Sequence, residues 1–127
     1  MEKRKILVVD DESRMRKLVR DFLVKQNFEV LEAGDGEEAL DVFYKNKDIA
    51  LIILDVMMPK INGYKISRLL KYDSKYKDIP IIMVTARSQL EDKMIGEETG
   101  VNEYITKPFE LDAIVKKVES YLGGGEE

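Results

Sequence analysis

The 127-residue chain contains no cysteine, no histidine and no tryptophan. The missing cysteine excludes disulfides and thiolate metal sites. The missing histidine excludes an imidazole base, a phosphohistidine and imidazole metal ligands, so any chemistry has to run on carboxylates, hydroxyls and lysines. No apolar run approaches the roughly 18 residues of a membrane helix, since the run Ile49 to Leu54 is cut off by Asp55. The N-terminal stretch MEKRKILVVDD lacks the apolar segment of a signal peptide, which makes the cytoplasm the expected location. A strong basic balance is absent too. With 21 basic and 25 acidic side chains the net charge is -4, and no basic field is available to collect nucleic-acid phosphates. Direct nucleic-acid binding and membrane insertion are not expected.

What the chain does contain suits one folded, soluble domain: 44% hydrophobic residues and 36% charged residues with both signs interleaved. The expected division is a domain over residues 1–122 and a Gly-rich tail over 123–127. Apolar runs alternate with segments of helical period. Lys5 to Val9 predicts a strand, and Met15, Leu18, Val19, Phe22 and Leu23 lie at the spacing of one helix face. Phe28 to Ala33 predicts a second strand and Glu37 to Tyr44 a second helix, through Ala39, Leu40 and Phe43. Ile49 to Leu54 predicts a third strand, and Asn62 to Tyr72 a helix carrying Ile66, Leu69 and Leu70. Beyond Pro80 come a strand at Ile81 to Val84, a weak helix at about Gln89 to Thr99, and a short strand at Tyr104 and Ile105. The final helix, about Glu110 to Leu122, lines up Leu111, Ile114, Val115, Val118 and Leu122 before Gly123-Gly124-Gly125 ends it. Five strands too uniformly apolar to have a wet face, alternating with five helices, predict an α/β fold: a doubly wound parallel sheet in a three-layer sandwich.

In such open parallel sheets the functional groups gather at the carboxyl ends of the strands, near the point where strand order reverses. Those ends offer Asp10-Asp11-Glu12, Asp55, Thr85-Ala86 and Thr106-Lys107-Pro108. Asp55 is the most demanding of them. It closes the run IILD, where a buried charge costs several kcal/mol unless something compensates it. Three neighbouring acids also repel one another, by roughly 4 kcal/mol per pair at about 4 Å and an effective dielectric near 20. They need a cation, and an all-oxygen donor set without histidine or cysteine selects a hard ion such as Mg²⁺. Lys107 adds a fixed positive charge. A metal and a lysine flanking one carboxylate would suit phosphoryl transfer, which is catalysed mainly by placing positive charge on the equatorial oxygens. Taken singly, each residue also has a plain structural reading: Asp10 and Asp11 as helix caps, Asp55 as a strand terminus, Thr85 as a strand hydroxyl, Lys107 as a surface lysine, Tyr104 as a half-buried packing ring. Their joint placement at four strand ends argues against those readings.

The set Asp10-Asp11, Asp55 followed by Met58-Pro59 and Gly63, Thr85-Ala86, and Tyr104 before Lys107-Pro108-Phe109 resembles the receiver domain of bacterial two-component response regulators, of the chemotaxis-regulator kind. The resemblance covers essentially the whole chain. It implies the flavodoxin-like strand order 2-1-3-4-5, which the periodicity does not supply. It implies that Asp55 is the phosphoacceptor, that Asp11 binds Mg²⁺ directly and Asp10 mostly through water, and that Asp55 and the backbone carbonyl of Met57 complete the metal ligands. Lys107 and Thr85 would contact phosphoryl oxygens, Tyr104 would be a switch aromatic, and the Lys107-Pro108 bond would be cis. The implied partners are a sensor histidine kinase and a downstream output protein or domain. The output partner would meet the face of the fourth helix, fifth strand and fifth helix, on a monomer or a phosphorylation-dependent dimer.

Some positions depart from the family's pattern. Glu97 falls where an apolar residue is usual, beside Gly96 and Thr99, so the fourth helix is expected to pack loosely. Asn102-Glu103 replaces two small or acidic residues, and Met57 and Arg87 occupy positions that tune how water reaches an acyl phosphate. Lys3-Arg4-Lys5 and Lys116-Lys117 are expected to be solvated charge. Three competing readings stand beside this one. An aspartyl-phosphate phosphatase would carry DxDxT after strand 1, where this chain has DDESR. An FMN-binding module would need hydroxyls and glycines in the first loop, where an acidic DDE repels phosphate. A degenerate receiver acting only through protein contact conflicts with the complete acceptor set.

Overall fold

The computed structural model describes residues 3–56, 58, 62–86 and 101–123. Short runs of β-branched and other apolar residues form the strands β1 (Lys5–Val9), β2 (Glu29–Ala33), β3 (Ile49–Asp55), β4 (Ile81–Ala86) and β5 (Glu103–Lys107). Segments of helical period form α1 (Ser13–Lys25), α2 (Gly36–Lys45), α3 (Gly63–Lys71) and α4 (Leu111–Leu122). The sheet is five-stranded and parallel, in the order β2-β1-β3-β4-β5. Four helices stand among the described residues. The helix expected at Gln89 to Thr99, with Gly96 and Glu97, lies outside them, so α4 is the fifth of the expected helices.

Alternation along β3 shows how the sheet is buried on both faces. Leu51 and Ile53 pack with Val19 and Leu23 of α1 and with Ile114, Val115, Val118 and Leu122 of α4. Ile52 and Leu54 pack with Ala39 and Phe43 of α2 and Ile66 and Leu70 of α3. The result is the three-layer doubly wound sandwich.

Two helix starts have a visible local cause, a side-chain oxygen that takes up an otherwise unpartnered backbone N–H. Asp35 caps α2 by accepting a hydrogen bond from the Glu38 N–H at 2.8 Å. Asn62 caps α3 by accepting from the Lys65 N–H at 3.0 Å. Arg4 donates to the Leu122 carbonyl at the end of α4, tying the approach to the first strand to the last helix. Gly123 follows with a positive φ, a conformation glycine adopts without a Cβ clash.

Several expectations are corrected. Leu18 and Leu69, assigned to apolar faces, are 47% and 44% exposed. Each precedes by one residue a buried neighbour, Val19 or Leu70, and a step of about 100° turns it off the narrow stripe that meets the sheet. β4 and β5 run further than their apolar runs, because Thr85 pairs with Thr106 and Ala86 with Lys107 in one continuous ladder. Arg4 is a helix tie rather than solvated charge, and Lys117 pairs with Glu103 at 3.2 Å. No helix among the described residues is long and apolar enough to cross a membrane.

Candidate functional site

Strand order reverses between β1 and β3, so the carboxyl ends of these neighbours open into a shared crevice. Asp10 continues the β1–β2 pairing by one residue, its N–H donating to the Ala33 carbonyl at 3.1 Å. Its side chain turns back, Oδ1 accepting from the Glu12 N–H at 2.9 Å, and the residue is only 6% exposed. Asp11 is exposed. The N-cap of α1 is Glu12, with no side-chain cap bond, so neither Asp10 nor Asp11 serves as that helix's cap.

Asp55 ends β3 opposite Val84 of β4 and is likewise 6% exposed. Beyond it Val56 N–H donates to Val84 O, and Gly63 N–H donates back to Val56 O, both at 3.0 Å. The first turn of α3 therefore lies directly against the acid's backbone. A Cβ on Gly63 would stand 2.6 Å from the Asp55 carbonyl oxygen, closer than real Cβ contacts, which explains glycine at this place.

One carboxylate oxygen from each of Asp10, Asp11 and Asp55 lies within 4.8 Å of the others. Lys107, at the end of β5, reaches this group: Nζ is 3.2 Å from Asp55 Oδ2 and 3.6 Å from Asp10 Oδ2. Its burial works to lower the ammonium pKa. The attraction of Asp55 and Asp10 and the hydrogen bond to Asp55, with Glu12 adding a little, outweigh that and hold it above the ordinary value. The Lys107-Pro108 bond is cis. Three clustered carboxylates with no nitrogen or sulfur donor fit a hard divalent cation, so the cluster can hold a metal ion.

Thr85 is fully buried in β4, one residue beyond the partner of Asp55. Tyr104 pairs in register with Met83, two residues before Thr85, and packs against the apolar cluster beneath α2 and α3. By strand alternation Thr85 and Tyr104 therefore belong to the same face of the sheet. The structure thus brings Asp10, Asp11, Asp55 and Lys107 together, with Thr85 and Tyr104 on the two adjoining strands. Met57, whose carbonyl is the remaining expected ligand, and Arg87 lie outside the described residues.

Asn102 and Glu103, departures from the family pattern, are structural ties. Asn102 Oδ1 accepts from Ile81 N–H at 2.9 Å, and Tyr121 of α4 donates to Asn102 O at 3.2 Å and Glu103 Oε2 at 3.3 Å. Burial, then Glu103, raise the Tyr121 pKa.

One group was not singled out from the sequence. Arg16 Nη1 donates to the Asp10 carbonyl at 2.8 Å while its Nε donates to Glu32 Oε1 at 3.0 Å, and Arg20 Nη1 donates to Glu32 Oε2 at 2.8 Å. Burial alone would raise the Glu32 pKa, but the hydrogen bonds and charges of Arg20 and Arg16 bring it below the ordinary carboxylate value. The available signal was two arginines four apart on α1, one helical turn, with an acid near the end of the strand that follows.

The chain matches the response regulator receiver domain family over residues 6–119. It is 40% identical over 122 residues to a chemotaxis protein CheY homologue of Campylobacter jejuni, covering 95% of this chain and 94% of the relative. It is 44% identical over 121 residues to the probable transcriptional regulator ycf27 of Porphyridium aerugineum, covering 93% of this chain but 49% of that relative, so it spans about half of that protein's length. Among solved structures, the chemotaxis response regulator CheY4 of Vibrio cholerae superposes with a TM-score of 0.88 at 32% identity, covering 94% of this chain and 99% of that one. An acidic crevice at the reversal point of a 2-1-3-4-5 sheet, joined by a lysine from the last strand and matched along nearly its whole length, places this chain in the response regulator receiver family of two-component signalling.

Proposed function

We propose that this domain is a phosphorylation-controlled switch in which a sensor histidine kinase donates a phosphoryl group to Asp55. The observation that carries the reading is the charge arrangement: a buried acid closing β3, beside two further carboxylates and 3.2 Å from a lysine ammonium. An Asp55 oxygen forms the new P–O bond while the P–N bond to the donor imidazole breaks, its electron pair leaving on nitrogen. Asp10, Asp11, Asp55 and the Met57 carbonyl are the residues that would hold Mg²⁺. When bound, the cation supplies positive charge for the acids and for the phosphoryl oxygens. Lys107 exchanges part of its contact with Asp55 for a phosphoryl oxygen, and Thr85 donates its hydroxyl to another. Asp55 returns to its starting state by hydrolysis, so the domain acts as a signalling device rather than as an enzyme turning over a separate substrate.

Tyr104 lies on the neighbouring strand, on the same face as Thr85 and two register positions from it, which supports a role in carrying the change outward. Phosphorylation need bias a two-state equilibrium by only a few kcal/mol to redistribute it. The readout surface we propose is the face of β5 and α4 with the expected fourth helix, presented to a downstream protein or domain in the cytoplasm. The metal assignment is tested by calorimetric titration of Mg²⁺. Asp11→Ala is expected to lower the affinity at least about tenfold, and an unchanged affinity would remove Asp11 from the ligand set.

A further inference from the structure

We propose that Arg16 is a positioning residue for the cation site, its guanidinium, oriented by Glu32, holding the backbone from which Asp10 and Asp11 present their carboxylates. The inference rests on reading Asp10, Asp11 and Asp55 as the Mg²⁺ ligands. Besides its ion pair with Lys107, Asp10 makes three hydrogen bonds: its N–H to Ala33, its Oδ1 from Glu12 N–H, and its carbonyl from Arg16 Nη1 at 2.8 Å. The first continues the sheet ladder and the second lies within the turn. Arg16 alone among them holds the carbonyl that leads into Asp11, and its Nε at 3.0 Å from Glu32 fixes the guanidinium plane on β2. Asp11, exposed and next in the chain, takes its place from that backbone.

The cluster's charge suits positioning rather than competition with a cation. Arg16 and Arg20 face Glu32, and Arg20 also pairs with Asp21 at 2.8 Å, so two guanidiniums meet two carboxylates and little net positive field is added. Space is made for the clamp as well. A Cβ on Gly34 would stand 3.2 Å from Arg16 Nη1, so the chain leaving β2 passes close against the guanidinium. The two bonds diverge from one rigid plane, a geometry that a lysine ammonium cannot reproduce. Arg20 is the internal control, because it binds the same Glu32 without a bond to Asp10.

The test is Mg²⁺ titration by calorimetry on the full chain for wild type, Asp11→Ala, Arg16→Ala, Arg16→Lys and Arg20→Ala, with circular dichroism melts to show that each is folded. A positioning role predicts that both Arg16 variants bind Mg²⁺ about tenfold more weakly, while Arg20→Ala stays within about twofold of wild type whatever its melting temperature. Should Arg16→Ala not fold, Arg16→Lys decides by the same criterion. Arg16 variants binding like wild type, in a protein where Asp11→Ala is impaired, would overturn the proposal and leave the metal reading intact. Equal weakening by Arg20→Ala would also overturn it, reducing the cluster to a structural tie. A wild type that binds no Mg²⁺ would fail the metal reading, and the proposal with it.

Discussion

With Nζ 3.2 Å from Asp55 and 3.6 Å from Asp10, Lys107 is the cation that offsets repulsion between two buried carboxylates. Removing it leaves those charges facing each other unless a bound divalent cation separates them. The lysine side chain is 30% exposed, so solvent screens the pair and its loss costs less than that of a fully buried one. Lys107→Ala is therefore expected to destabilise the protein by roughly 1 kcal/mol in EDTA. Added Mg²⁺ should recover part of the loss in urea titrations, and equal losses with and without the metal would contradict the charge argument. At this scale the sequence was informative about residue type and strand end: Asp10, Asp11, Asp55 and Lys107 meet where their positions in the chain place them. Arg16 and Glu32 were not legible, because which face of α1 meets which side chain of β2 depends on packing that a period alone does not specify.

Among the elements, α3 begins, one residue after its Asn62 cap, at a position with no room for a Cβ. Its first residue, Gly63, lies where a Cβ would press to 2.6 Å on the Asp55 carbonyl and to 3.0 Å on Met83 Sδ. The Met83 side chain can shift, but the backbone carbonyl cannot without moving the acid. Gly63→Ala is expected to cost roughly 2 kcal/mol by chemical denaturation and to weaken Mg²⁺ binding together with stability. A variant as stable as wild type would show that the α3 entry is slack. Strands and helices were legible from period and run length. β3, for example, alternates between two buried faces and so reads as one apolar run. The ends of β4 and β5 were less so. Thr85, Thr106 and Lys107 are polar residues held in the ladder by backbone pairing, to which hydropathy is blind.

For the whole molecule, the sheet order followed from the family resemblance rather than from the periodicity, because strand adjacency is a long-range property that a period of two or 3.6 does not encode. The same parallel architecture brings α1, β1 and β2 together around Glu32, and this sets a global pH dependence. The Glu32 pKa is lowered in the folded state, so its contribution is present above the ordinary carboxylate value and is lost as pH falls through the lowered folded value. The stability difference between wild type and Glu32→Gln is thus expected to be full near pH 7 and to shrink in that acid window. A difference that stays constant to pH 3 would deny the linkage. The central claim, that Asp55 accepts a phosphoryl group with divalent metal beside it, is tested most directly by intact-mass spectrometry after incubation with acetyl phosphate and Mg²⁺. The account predicts the added mass of one phosphoryl group on the wild type, absent with EDTA and absent in Asp55→Asn. No added mass on the wild type, or the same adduct on Asp55→Asn, would contradict it.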